Sequence, residues 1–189
     1  MTKHIFDCID AHTCGNPVRL ILSQKPDLAG SSMSQKRSDF IKNFDWIRKS
    51  LMFEPRGHDI MSGGMIFPPN DPNNDFSILF IETSGCLPMC GHGTIGIVTI
   101  ALEENLIKPK VEGILNIEVP AGNISVKYEK KGMLFLFVRL RPHKKSLCNL
   151  DFQKHLHEID IDIEIVKKDF LNSKKTSNFT NRLVCDIPL

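Results

Sequence analysis

Apolar residues over the first 140 positions fall into short alternating runs and one near-continuous run, and the two patterns predict different elements. Residues 3–8, KHIFDC, and 17–24, PVRLILSQ, read as strands, joined by DAHTCGN with Gly15 and Asn16 as the turn. Over 33–52, Phe40, Ile41, Phe44, Ile47 and Leu51 recur at helical spacing. Lys36, Arg37, Lys42 and Lys49 fill the opposite face, which predicts one amphipathic helix. EPRGHDIMSGGMIFPPNDPNND follows. Its Gly63 and Gly64 lead into a short strand, and Pro68, Pro69 and Pro72 enforce a loop.

FSILFIET, 76–83, is an apolar run of strand length, expected to be buried on both faces. Residues 94–106 form a helix that is apolar nearly all round, with Thr94 as its expected cap. Residues 115–119 and 124–128 predict a hairpin across PAGN, and 133–140 a further strand. The fold class expected is α+β, with a mixed or antiparallel sheet wrapped round one buried central helix.

Composition changes this picture at one place. All twelve glycines lie at or before Gly132, and from His143 the chain turns rich in Lys, Asn and Ser, with DIDIEIV as an edge-strand candidate. The domain expected is therefore 1–141, and 142–189 is set apart as a divergent tail. The chain has 189 residues, is 41% hydrophobic and carries a net charge of +2, which fits a globular domain and gives no reason to expect a nucleic-acid partner. No run approaches the ~20 apolar residues of a membrane span, and the first residues lack the apolar core of a signal peptide. The expectation is a cytoplasmic protein without a membrane partner.

The chemistry concentrates in GCLPMCGHGTIG, 85–96. With six cysteines at irregular spacing and no export signal, reduced thiols are expected. Cys86 and Cys90 have an acceptable spacing for zinc, but no second pair completes four ligands, so no metal is expected. Cys90 stands at the mouth of the apolar helix, where unpartnered amides and the helix dipole should acidify its thiol below the ordinary ~8.5. Gly91 and Gly93 permit close approach of a ligand. The same amides suit a carboxylate. A base and an anion anchor on one element suit removal of a proton alpha to a carboxylate.

The plain alternatives stand beside this. Free cysteine is among the most buried residue types, so Cys90 reads equally as packing. His92 reads as a surface or capping residue, or as a hydrogen-bond partner for a carboxylate. Cys86 reads as a loop-packing residue or as the resolving thiol of a redox pair with Cys90. Cys8, Cys14, Cys148 and Cys185 read as structural.

MCGHGTIG, 89–96, resembles the first active-site motif of the proline racemase family. DAHTCGNPVRL (10–20), LMFEPRGHDIMSGGMIFPP (51–69), LFIETSGCLPMCGHGTIGIVTIALEENLI (79–107) and VPAGNISVKYE (119–129) extend the resemblance in order, toward the branch acting on 4-hydroxyproline. The resemblance implies a cofactor-free reaction in which two cysteines exchange the alpha proton on opposite faces of a small-molecule substrate, 4-hydroxyproline or proline. It also implies two halves of the diaminopimelate-epimerase type, commonly in a homodimer. Carried over by position, Cys90 is the first acid/base, and Gly91 and His92 contact the substrate.

The family's second cysteine, in a motif of the form SPCGTGTSA, has no counterpart here: Cys148 sits in SLCNLD and Cys185 in LVCDIP. The likeness stops after about Arg141, which reads as a truncated or frameshifted product with little or no activity alone. The related activities of proline racemase and 3-hydroxyproline dehydratase remain open. So do a non-catalytic half-domain that pairs with another chain and a thiol redox protein.

Overall fold

The computed structural model describes residues 2–13, 15–131, 134–142 and 179–187. Cys14, Cys148 and DIDIEIV lie outside the described residues. The chain opens with β1 (Thr2–Thr13) and β2 (Asn16–Ile21), then α1 (Met33–Asn43) and α2 (Asp45–Met52). After β3 (Ser62–Phe67), β4 (Phe76–Glu82) and the short β5 (Gly85–Leu87) comes α3 (Gly91–Glu103). Strands β6 (Ile114–Val119), β7 (Gly122–Lys131), β8 (Leu134–Pro142) and β9 (Phe179–Ile187) complete the described part.

These strands make one mixed sheet in the order β8-β7-β6-β4-β3-β2-β1-β9, with β5 added alongside β4. β2–β3 and β4–β6 pair in parallel, and the remaining neighbours are antiparallel. Helix α3 lies against β1, β2 and β3 and also against β8 from the other end of the order, so the sheet curls around it. The α+β expectation with a buried helix describes this architecture.

Strand parity divides the core in two. Phe76, Ile78 and Phe80 of β4 join the cluster around α3 with Val18, Leu20, Ile97 and Val98. Leu79 and Ile81 face the other way and pack with Phe40, Ile47, Leu51 and Met65 beneath α1 and α2. β4 is thus buried on both faces, as its uninterrupted apolar run requires. Helix and sheet meet closely where α3 crosses β2. A Cβ on Gly96 would lie 2.8–2.9 Å from three carbons of Val18, so only glycine allows this approach.

Four sequence expectations are corrected. The single helix over 33–52 is two helices, because Phe44 adopts φ −130°, ψ 9° and breaks the hydrogen-bond ladder. Ile41, assigned to the apolar face, is exposed. The segment read as a hairpin turn is mostly strand: Thr13 pairs with Asn16, leaving a two-residue connection with Gly15 at φ +90°. Finally, α3 begins three residues earlier than expected, and its cap is Cys90 rather than Thr94. Where the sequence reading placed no strand, β9 pairs antiparallel with β1 from Thr2↔Ile187 to Asp10↔Phe179.

A buried ion pair ties the first hairpin to the helices. Arg19 is held bidentately by Asp10, with both contacts at 2.7 Å, and also donates to the carbonyls of Leu51 and Arg56. Four of the five N–H donors of its guanidinium are thus engaged, which offsets most of the cost of burying the charge.

Candidate active site

Cys90 precedes α3 in extended conformation, φ −141°, ψ 115°, and its sulfur does what a serine or aspartate oxygen does at other helix starts. Sγ accepts a hydrogen bond from the Gly93 amide at 3.4 Å. Thr94 turns back to donate its hydroxyl to the Cys90 carbonyl at 2.7 Å, which pins the cap backbone. Glycine at 93 leaves the sulfur its room, since a Cβ there would stand 3.0 Å from Sγ and make it give by a few tenths of an ångström. Gly91 opens the helix and is half-buried, and its amide and that of His92 fall in the first turn, where helical geometry offers no acceptor.

Two further side chains converge on the sulfur. The thiol donates to Glu82 Oε1 at 3.1 Å, and His92 Nδ1 lies 3.4 Å from Sγ. Glu82 ends β4 with the parity of Phe80 and Ile78, so its carboxylate falls on the α3 side of the sheet. The antiparallel register sets Ser62 of β3 opposite it, and Ser62 Oγ donates to Oε1 at 3.1 Å. Ser84 Oγ reaches Oε2 at 3.3 Å. Arg48 of α2 donates to the carbonyls of Glu82 and Thr83, fixing the strand end from the opposite side. His92 is half-buried, and its carbonyl accepts from Thr13 Oγ1 at 3.1 Å. Its Nε2 is buried without a hydrogen-bond partner among the described residues.

The electrostatics reverse the sequence expectation of an acidified thiol. Burial is the largest influence, and together with the hydrogen bond to Glu82 and its negative charge it pushes the Cys90 thiol up to about 11. The Gly93 amide and the Ser62 hydroxyl act in the opposite direction but do not prevail. Cys90 retains 7% exposure and holds its proton. In this state the group is a proton donor.

Cys86 is separate from this constellation. It packs in the core beneath α1 and α2, whereas Cys90 belongs to the cluster around α3, and burial pushes the Cys86 thiol up to about 12. A sulfur in the other core does not fit the role of resolving thiol, and loop packing describes it. A cavity of about 490 Å³ between the start of α1 and the β6–β7 turn includes none of the residues around Cys90. Of its two carboxylates, Glu118 is already taken by the side chains of Asn70 and Asn74 and the amides of Asn70 and Asp71, and Asp71 Oδ1 accepts from the amide and side chain of Asn73.

The structure therefore brings Cys90, Gly91 and His92 together and adds Glu82 and Ser62, which the sequence reading missed. Glu82 had one visible signal, as the single charge ending the run FSILFIE. Ser62 had none, because only the register brings it there.

The sequence profile of the proline racemase family matches residues 8–163. This chain belongs to the proline racemase family. The match continues past the boundary near residue 141 that the motifs alone suggested. The 4-hydroxyproline 2-epimerase of Spirosoma linguale is 59% identical over 149 residues, covering 78% of this chain and 45% of that protein. The 4-hydroxyproline 2-epimerase of Shewanella loihica is 61% identical over 140 residues, covering 74% of this chain and 42% of that protein.

The chain thus spans less than half the length of these relatives. The crystal structure of a hydroxyproline epimerase from Agrobacterium vitis, with bound trans-4-hydroxy-L-proline, superposes with a TM-score of 0.65 at 20% identity. That superposition covers 72% of this chain and 41% of the other, and it shows the fold of this family member's half. Among the described residues, no helix is long and apolar enough to cross a membrane.

Proposed function

We propose that this chain supplies one acid/base face of a 4-hydroxyproline 2-epimerase, with Cys90 as the proton-carrying group and Gly91 and His92 as substrate contacts. The observation that carries the reading is the Cys90 sulfur at the opening of α3, 3.1 Å from Glu82 Oε1 and 3.4 Å from His92 Nδ1. It lies within sequence 59–61% identical to 4-hydroxyproline 2-epimerases. The half-domain is of the diaminopimelate-epimerase type, and the second acid/base comes from outside these 189 residues.

The proton balance is simple. A base on the far face takes the alpha proton of trans-4-hydroxy-L-proline while the Cys90 S–H bond breaks and its proton forms the new C–H bond on the near face, giving cis-4-hydroxy-D-proline. One C–H bond is lost and one is made, with no net change in oxidation state. The substrate carboxylate lies against the first amides of α3, where the positive end of the helix stabilises the charge that develops as the alpha carbon loses its proton. The thiolate left behind is received by the Gly93 amide, and by the Ser62 hydroxyl once it turns from Glu82 Oε1 to the sulfur. His92 Nε2, buried and unpartnered at a cost of about 1–3 kcal/mol, is relieved by a substrate oxygen.

The test joins residues 1–141 to the remainder of the Spirosoma linguale relative and follows deuterium incorporation at the alpha carbon in D2O. The chimera is expected to exchange 4-hydroxyproline faster than proline, its Cys90→Ser variant to exchange neither, and the 189-residue chain to show no turnover. A folded but inactive chimera overturns the reading, and preference for proline replaces it with proline racemase.

A further inference from the structure

We propose that Glu82, Cys90 and His92 together form a site for a soft divalent cation, Zn²⁺ being the fitting ion, held by one carboxylate oxygen, the sulfur and one imidazole nitrogen. The three donor atoms lie within 4.8 Å of one another. Two of the separations are 3.1 Å, from Sγ to Glu82 Oε1, and 3.4 Å, from Sγ to His92 Nδ1. Tetrahedral zinc, with Zn–S near 2.3 Å and Zn–N or Zn–O near 2.1 Å, sets such donors roughly 3.5 Å apart. These two separations lie within a few tenths of an ångström of that spacing, and the third, between the Glu82 oxygen and the imidazole nitrogen, is no more than 4.8 Å.

The donor set is one zinc favours, a thiolate, an imidazole and a carboxylate, with the fourth position left to solvent or another ligand. The ligands are also held from behind. Ser62 and Ser84 hydroxyls fix the two oxygens of Glu82, and Thr13 fixes the His92 backbone, the kind of outer support on which metal affinity depends. Among the described residues, no lysine or arginine forms an ion pair with the Glu82 carboxylate, so a dication enters without displacing a bound cation.

A search of the sequence for paired cysteines misses this site because its third ligand is a strand-end glutamate rather than Cys86. Binding exchanges one ion for another: Zn²⁺ takes the sulfur, the thiol proton leaves to solvent, and no electrons move. Occupancy would block any proton transfer by Cys90, making zinc an inhibitor of that chemistry. The cation site itself does not depend on the epimerase reading.

The experiment uses the full chain with ZnCl₂ and follows iodoacetamide labelling of each cysteine by peptide mass spectrometry. Zinc is expected to slow labelling of Cys90 at least about tenfold, with full recovery after chelation. Glu82→Gln and His92→Gln, checked for native circular dichroism, are each expected to raise the zinc concentration for half-protection by at least about tenfold. Cobalt(II) is expected to give a thiolate charge-transfer band that Cys90→Ser abolishes. Unchanged Cys90 labelling in zinc, equal protection in both ligand variants, or a cobalt band that survives Cys90→Ser overturns the proposal. Zinc protection in a chain whose chimera is catalytically inactive would leave this site standing and remove only the epimerase reading.

Discussion

Replacing Glu82 with glutamine tests why Cys90 holds its proton. The substitution keeps an oxygen able to accept the 3.1 Å hydrogen bond from the thiol but removes the negative charge beside it. Burial is the largest reason the thiol is pushed up to about 11, and the charge and hydrogen bond of Glu82 add to it against the Gly93 amide and Ser62 hydroxyl. Assigning the charge a modest share, loss of the carboxylate lowers the thiol pKa by about one, equivalent to about 1.4 kcal/mol.

At any pH well below both values the thiolate fraction rises about tenfold. Nucleophilicity falls with basicity, however, so the net alkylation rate rises only about threefold. The assay is iodoacetamide labelling of Cys90, resolved by peptide mass spectrometry, across a pH series. In the parent chain the rate should climb in proportion to hydroxide and bend only near about 11. In Glu82→Gln the bend should come earlier, while Glu82→Asp, which retains the charge, should stay close to the parent. An unchanged profile in Glu82→Gln would refute the assignment of the carboxylate as a force holding the proton.

Three other outcomes follow from the same geometry. Gly96→Ala should destabilise the fold by about 1–3 kcal/mol in urea unfolding, despite alanine's better helix propensity, because the new methyl meets Val18. Val18→Ala in the same chain should recover part of that loss, and strictly additive effects would show that helix and strand do not meet there. Glu118→Gln should cost about 1.5–3 kcal/mol, because one amide oxygen replaces a carboxylate that accepts four hydrogen bonds.

Burial alone would raise the Glu118 pKa, but the hydrogen bonds from the Asp71 and Asn70 amides and the Asn74 and Asn70 side chains lower it overall. The stabilisation is therefore present above the unfolded value of ~4.3 and is lost as pH falls through the lower folded one, so the variant should flatten acid unfolding. At high pH the sign is opposite. Cys86 and Cys90 are raised to about 12 and about 11, so their contribution is whole below the unfolded ~8.5 and disappears as pH rises through those values. Each thiol should add a slope of up to about 1.4 kcal/mol per pH unit to alkaline destabilisation, and Cys86→Ala should remove one such slope in denaturant titrations.

Several features were legible in the sequence because they depend on local period. The unbroken apolar run of β4 demands burial on both faces. The all-round apolar pattern of α3 demands a central position, although its start at Gly91 lies three residues before the one that pattern predicts. Ordered motifs also carried the family. Local pattern was insufficient where two signals competed. The helical spacing of 33–52 continues through Phe44, yet the chain breaks there to bring α2 against β4 and β5, and Arg48 then reaches the end of β4. A cysteine as helix cap was also hidden, since cap preferences rank oxygen-bearing side chains first.

The sequence by itself placed a thiol at the positive end of a buried helix, and that placement follows from chain order alone. Only the tertiary structure decided the proton on that thiol. Glu82 lies eight positions before Cys90, and its effect depends on which face of β4 receives α3 and on the register that sets Ser62 beside it. The free amides of the helix start are a local feature of the chain, whereas desolvation and a carboxylate 3.1 Å away are consequences of packing, and they outweigh the hydrogen bond that the Gly93 amide gives the sulfur.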